Sequence, residues 1–169
     1  NSAVGFESLK ANTTGNQNTS MGSKSLISNA NGSNNTALGY QALSLNVSGA
    51  GNTAIGANAL PGSTGNGNIA IGASSGSFLT SGNNNVIIGG ADGSTISGSN
   101  NNIILSDGAG NERLRAITNG NMGVGTATSS PGATFDIGQI LTATSGTHFT
   151  NRVTSSDNHT SGTIAEYTS

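Results

Sequence analysis

Cysteine and tryptophan are missing from this chain, and charge is scarce: 7% of its 169 residues are Asp, Glu, Lys or Arg, against about 25% in typical globular chains. Without cysteine, disulfides cannot hold the fold, and nothing is learned of a redox compartment. Aromatic residues make up 4%, too few for the bulky core that a globular domain of this length normally builds. The formal net charge is −2. That leaves no basic footprint for nucleic acid and no polybasic segment for a membrane surface. No run is long and apolar enough to span a bilayer, and no signal peptide is visible. The first residue, Asn1, is not a native start and points to an internal piece of a longer chain.

What remains is mostly Gly (27 residues), Asn, Ser, Thr and Ala. Weakly apolar chains of this kind are either disordered or built from short stacked repeats. Apolar residues falling at fixed intervals favour the repeat. The units read Asn18-Thr-Ser-Met-Gly22, Asn35-Thr-Ala-Leu-Gly39, Asn52-Thr-Ala-Ile-Gly56, Asn68-Ile-Ala-Ile-Gly72 and Asn85-Val-Ile-Ile-Gly89. An earlier copy opens the chain at Ser2-Ala-Val-Gly5, and a later one, Asn102-Ile-Ile-Leu-Ser106, lacks the glycine. From Gly5 to Gly89 the spacings are 17, 17, 17, 16 and 17.

This period predicts an all-β chain: a parallel β-solenoid of 17-residue coils, stacked at about 4.8 Å, with seven coils making a rod about 34 Å long. Side chains alternate along a strand, so the first and third residues after each Asn share a face. The expectation is that this face points inward. It carries Val4, Met21, Leu38, Ile55, Ile71, Ile88 and Leu105, joined by Leu9, Leu26, Leu43 and Leu60 from the following turn. On that reading Ile55→Asp unstacks the array by burying a charge. The column between, Ala3, Ser20, Ala37, Ala54 and Ala70, then Ile87 and Ile104, becomes an outer face for burial between chains. The repeated Asn predicts an amide ladder, and the repeated Gly a bend with positive φ or close backbone approach. So thin a coil predicts association, with a threefold homotrimer the natural closed arrangement for a fibre.

The pattern breaks near Ser106. Glu112-Arg-Leu-Arg-Ala-Ile117 reads as a strand leaving the array, Pro131-Gly132 as a turn, and Phe135 and Ile137 as alternating strand positions. The organisation is therefore a repeat array over 1–106, a β transition module over 107–138, and the start of a further β-rich fibre module over 139–169.

Two motifs carry a resemblance. The Asn-Thr-Ala-Ile-Gly units resemble the head repeats of trimeric autotransporter adhesins, which are parallel β-rolls packed as trimers. Asn35 to Leu43 is still more similar to the repeats of bacteriophage tail fibres. The segment from Gly120-Asn-Met-Gly-Val-Gly-Thr through Ser130-Pro131 to Phe135-Asp-Ile137 resembles a short motif of those fibres, where it often precedes a self-cleaving chaperone domain. The coil here is longer than in adhesin heads. The segment before Pro131 is one residue longer than the usual fibre motif, and no chaperone residues are present to carry over. The resemblance implies a structural segment of a trimeric extracellular fibre for host attachment: a virion tail fibre or, as the alternative, a bacterial surface adhesin. Its partners would be two further copies, other fibre segments or tail proteins, and a host surface receptor or glycan.

Chemistry is sparse. Glu7, Asp92, Asp107, Glu112, Asp136, Asp157 and Glu166 are scattered, whereas glycoside hydrolysis needs a facing pair. Asp92 and Asp107 are the first suspects for a polysaccharide-cleaving tailspike, and turn roles are the plainer assignment. His148 or His159 could ligate a metal on a trimer axis, but solvated histidine is the simpler reading. Calcium-binding β-rolls need Asp in their turns, and these turns carry Asn and Ser. Gly120 to Gly125 lacks the strand–helix context of a nucleotide site. The Thr column, Thr19, Thr36 and Thr53, is too short for an ice-binding face. The expectation is no enzyme, with no catalytic, cofactor-binding or metal-ligating residue, no nucleic acid and no membrane insertion.

Overall fold

The computed structural model describes residues 1–62 and 64–124, together with the backbone of 135–137. The chain is an all-β solenoid. Seven strands stack in sequence order: β1 (Ser2–Val4), β2 (Thr19–Met21), β3 (Thr36–Leu38), β4 (Thr53–Ile55), β5 (Ile69–Ile71), β6 (Val86–Ile88) and β7 (Ile103–Ser106). Each pairs in parallel with the next, and equivalent repeat positions face one another, as in Ala37↔Ala54 and Leu38↔Ile55. Backbone bonds continue around the coil beyond the strands. Leu26 donates to the Ala42 carbonyl at 3.0 Å, and Leu43 to that of Ala59 at 3.1 Å.

The face assignment reverses the expectation. The middle residue of every strand from β2 to β7 is buried: Ser20, Ala37, Ala54, Ala70, Ile87 and Ile104. The flanking aliphatics point out, with Val4 61% and Met21 46% exposed, and Ile55 lies half-buried at the surface. The residue size states the reason. Inside a coil this narrow, the strand faces the following turn at close range, and a leucine already fills the gap in the early coils. Leu9, Leu26, Leu43 and Leu60 are buried as expected. Ser20 fits among apolar neighbours because its hydroxyl is satisfied, donating to the Ser25 carbonyl at 3.0 Å and accepting from Ser8 at 2.7 Å.

Two columns hold the register. Asn18, Asn35, Asn52, Asn68, Asn85 and Asn102 are buried. Each Oδ1 from Asn18 to Asn85 accepts the backbone N–H of the next ladder residue at 2.9–3.0 Å. Each Nδ2 from Asn18 to Asn68 donates to a glycine carbonyl of the following turn at 2.8–2.9 Å. A second amide column begins with Asn29 and Asn46, joined at 2.8 Å. It stops there, and the buried Asn46 Oδ1 has no donor. The glycine column is needed for the stacking distance. At Gly39, φ is 137° and a Cβ would lie 2.5 Å from the Gly56 carbonyl oxygen.

The core changes composition along the stack. Where the early coils place leucine four residues after the repeat glycine, the later ones have Gly76 and Gly93, with φ of 66° and 77°. A Cβ at either would press on Ile87, at 3.3 and 3.0 Å from its Cδ1. Three residues further on, the asparagine positions become Leu79 and Ile96, both buried. Apolar volume has moved to the strand and to the far turn.

Beyond β7 the chain reverses. β8 (Glu112–Ala116) pairs antiparallel with β7, with an irregularity between Leu105 and Ser106, and β9 (Met122–Val124) pairs antiparallel with β8. The backbone of β10 (Phe135–Ile137) lies parallel to β9. The transition segment thus continues the same sheet. The module expected over 139–169, and His148 and His159 within it, lie outside the described residues.

Candidate functional site

Two features of the surface stand out. The first is the outer face of the strands. The third-position side chains Val4, Met21, Leu38, Ile71, Ile88 and Leu105 are all exposed. The first position is Thr19, Thr36 and Thr53 in the early coils and Ile69, Val86 and Ile103 in the later ones. Parallel in-register pairing lines these up as two continuous columns, mixed at the β1 end and wholly apolar at the β7 end. Isolated exposed aliphatics are ordinary on a protein surface, but contiguous apolar stripes mark interaction sites. The sequence pattern located these residues and missed which way they point.

The second feature is the β7–β8 reversal. Ile104 pairs with Arg115, so the interior column of small and aliphatic residues ends on an arginine that is 2% exposed. Its guanidinium donates to the Thr95 hydroxyl and lies 3.5 Å from Glu112. Thr95 in turn donates to Glu112 at 3.1 Å. Burying a charge is costly unless it is paired, and this trio supplies the pairing at the end of the core. Clefts of about 250 and 310 Å³ open on either side, and Thr95 borders both.

The suspected carboxylates take turn roles. Asp92 accepts from the Ser94 N–H at 2.9 Å and its hydroxyl at 2.7 Å. Asp107 accepts from the N–H groups of Ala109 and Asn111, both at 3.0 Å, and is ion-paired with Arg113 at 2.5 Å. The Asn111 amide, then Arg113, pull the Asp107 carboxyl down to about 2. Glu7, bonded to Lys10 at 2.6 Å, is also held below its ordinary range, chiefly by that bond. Asp92 and Glu112 border the larger cleft together. Their separation of twenty residues gave the sequence no signal of it, because the juxtaposition depends on the strand reversal. Among the described residues no three His, Cys, Asp or Glu side chains cluster as a metal site, and no helix is long and apolar enough to cross a membrane. Comparison with known proteins gave no protein-family model, curated protein or solved structure that matches the chain.

Proposed function

We propose that the chain is a structural, non-enzymatic segment of a trimeric extracellular fibre that serves attachment to a host surface, as in a phage tail fibre. The observation that carries this reading is the pair of exposed columns on the strand face, apolar across β5 to β7. Left in water, such a stripe invites non-specific association, whereas copies meeting around a common axis would bury it. A rod whose outer face closes on itself suits a stiff spacer. The repeat resemblance supplies the attachment role. Against an enzyme stands the commitment of Asp92 and Glu112 to partners within the chain.

Light scattering on the isolated chain tests the assembly. The expected mass is three times 16.5 kDa. Ile71→Asp, on the exposed face, should give a monomer that keeps its β circular dichroism. A folded wild-type monomer at micromolar concentration would overturn the reading.

A further inference from the structure

Buried and exposed asparagines are held differently in this chain. In the ladder both ends of the amide are committed: Asn35 donates from Nδ2 to the Gly49 carbonyl at 2.8 Å, and its Oδ1 accepts the Asn52 N–H at 2.9 Å. In the turns, glycine follows an exposed asparagine three times, at Asn31, Asn66 and Asn119. Asparagine is among the thermolabile residues. A following glycine, with no Cβ in the way, lets its backbone nitrogen approach the side-chain amide.

The three pairs differ in what restrains them. At Asn66 the Gly67 N–H is donated to the Ala50 carbonyl at 2.9 Å, and Oδ1 accepts the Ala50 N–H at 2.8 Å. At Asn119 the Gly120 N–H is donated to the Ile117 carbonyl at 2.9 Å. The attacking nitrogen is occupied in both. At Asn31, among the described residues, neither the Gly32 N–H nor the Asn31 Nδ2 has an acceptor. The Asn31 Oδ1 accepts the Thr14 hydroxyl at 3.0 Å, and it shares the Thr13 hydroxyl, at 3.2 Å, with the Ala30 carbonyl. A donor on that oxygen stabilises the negative charge that gathers there during attack.

We propose that Asn31 is a self-modification site that deamidates in the folded protein. Gly32 N forms a bond to Asn31 Cγ and the Cγ–Nδ2 bond breaks. The amide nitrogen leaves as ammonia, carrying the proton that Gly32 N gives up. Water, the one co-reactant, then opens the cyclic imide without any transfer of electrons to or from the chain. Opening between Cγ and nitrogen gives aspartate. Opening at the main-chain carbonyl gives isoaspartate, in which the backbone runs through Cβ and Cγ. The fold selects between them. The Gly32 carbonyl accepts from Nδ2 of Asn18 at 2.8 Å and of Asn29 at 2.9 Å, and a Cβ on Gly32 would lie 2.4 Å from the Gly49 carbonyl oxygen. The extra backbone carbon of isoaspartate displaces Gly32 from this tight seat, so aspartate is the favoured product. Aspartate keeps an oxygen for Thr14. It also charges a stretch that has no charge, since no Asp, Glu, Lys or Arg lies between Lys24 and Asp92.

Peptide mapping by mass spectrometry, on the full chain aged at mildly alkaline pH, tests this. In the folded chain Asn31 should convert at least about tenfold faster than Asn66, a barrier difference of about 1.4 kcal/mol, and faster than Asn119. Thr14→Val, at an exposed position, removes the donor and keeps the shape; it should slow Asn31 several-fold and leave Asn119 unchanged. In concentrated urea the three pairs should convert at similar rates, with more isoaspartate relative to aspartate at position 31. Asn31 no faster than Asn66 or Asn119 in the fold, the same ranking in urea, an unchanged rate in Thr14→Val, or the same product ratio folded and unfolded would each overturn the proposal.

Discussion

Leu43 sits with φ at 51° and is fully buried. Left-handed backbone costs a non-glycine residue about 1–2 kcal/mol, while burying a leucine side chain yields about 1.5–3 kcal/mol. The margin is narrow, and the same conflict recurs at Leu9, Leu26 and Leu60. The inter-coil backbone bonds on either side fix the turn, so the side chain accepts the conformation that the stack imposes. Asp107 shows a second residue-scale balance. Its carboxyl titrates at about 2 in the fold against an ordinary 3.8. A folded-state value below the unfolded one stabilises the turn at neutral pH, and that contribution is lost as pH falls from about 4 through about 2. NMR titration of the carboxyl carbon should place the midpoint well under 3.8, and the Ala109 and Asn111 amides should exchange faster below it. A midpoint at the ordinary value would remove the turn's role. The asparagine and glycine columns were legible in the sequence because backbone spacing alone demands them. The direction of the strand face was not. Both alternating columns recur with the same period, and only the coil's narrow interior decides that Ala54 goes in and Ile55 stays out.

At the scale of one coil, the packing works by exchange. The coils of β1 to β4, with an alanine or serine centre, place leucine in the facing turn, whereas Gly76 follows Ala70 and Ile87 lies against both Gly76 and Gly93. The sequence displayed this exchange as a decay of the leucine pattern, and only the contacts show it to be compensation. Ile87→Ala should cost about 2–5 kcal/mol through the cavity it leaves. Gly76→Leu should cost about 1–3 kcal/mol through overpacking. The double variant should be more stable than the sum of the two losses implies, by about 0.5–3 kcal/mol. Urea melts of the three variants measure that coupling, and strict additivity would show that the two positions do not share one space. The β7–β8 end follows a different rule, since Arg115 stops the column with a paired charge. Charge density in Glu112 to Arg115 marked the boundary of the array in the sequence, but the pairing with Thr95, twenty residues earlier, could not be read without the reversal.

For the whole stack, each coil contacts only its neighbours, so stability accumulates along one dimension. β1 has one paired edge and all three of its residues are exposed, while β5 and β6 are paired on both sides. Amide exchange should therefore be fastest at Ser2, whose N–H bonds to the Asn18 carbonyl at 2.8 Å, and should slow coil by coil toward Ile69 and Val86. Equal protection from β1 to β7 would mean that the array opens all at once.

The stacking direction also sets how the molecule bears a pull. Strands run across the rod and their hydrogen bonds run along it, so axial tension passes through every inter-coil seam in series. The weakest seam then fixes the strength of the whole. It lies after Asn46, where the second amide column that ties Asn29 to Asn46 breaks off and the next coil is shortened to 16 residues, from Thr53 to Ile69. A fibre tugged by its bound surface would part there first, leaving the strongly apolar β5 to β7 section intact.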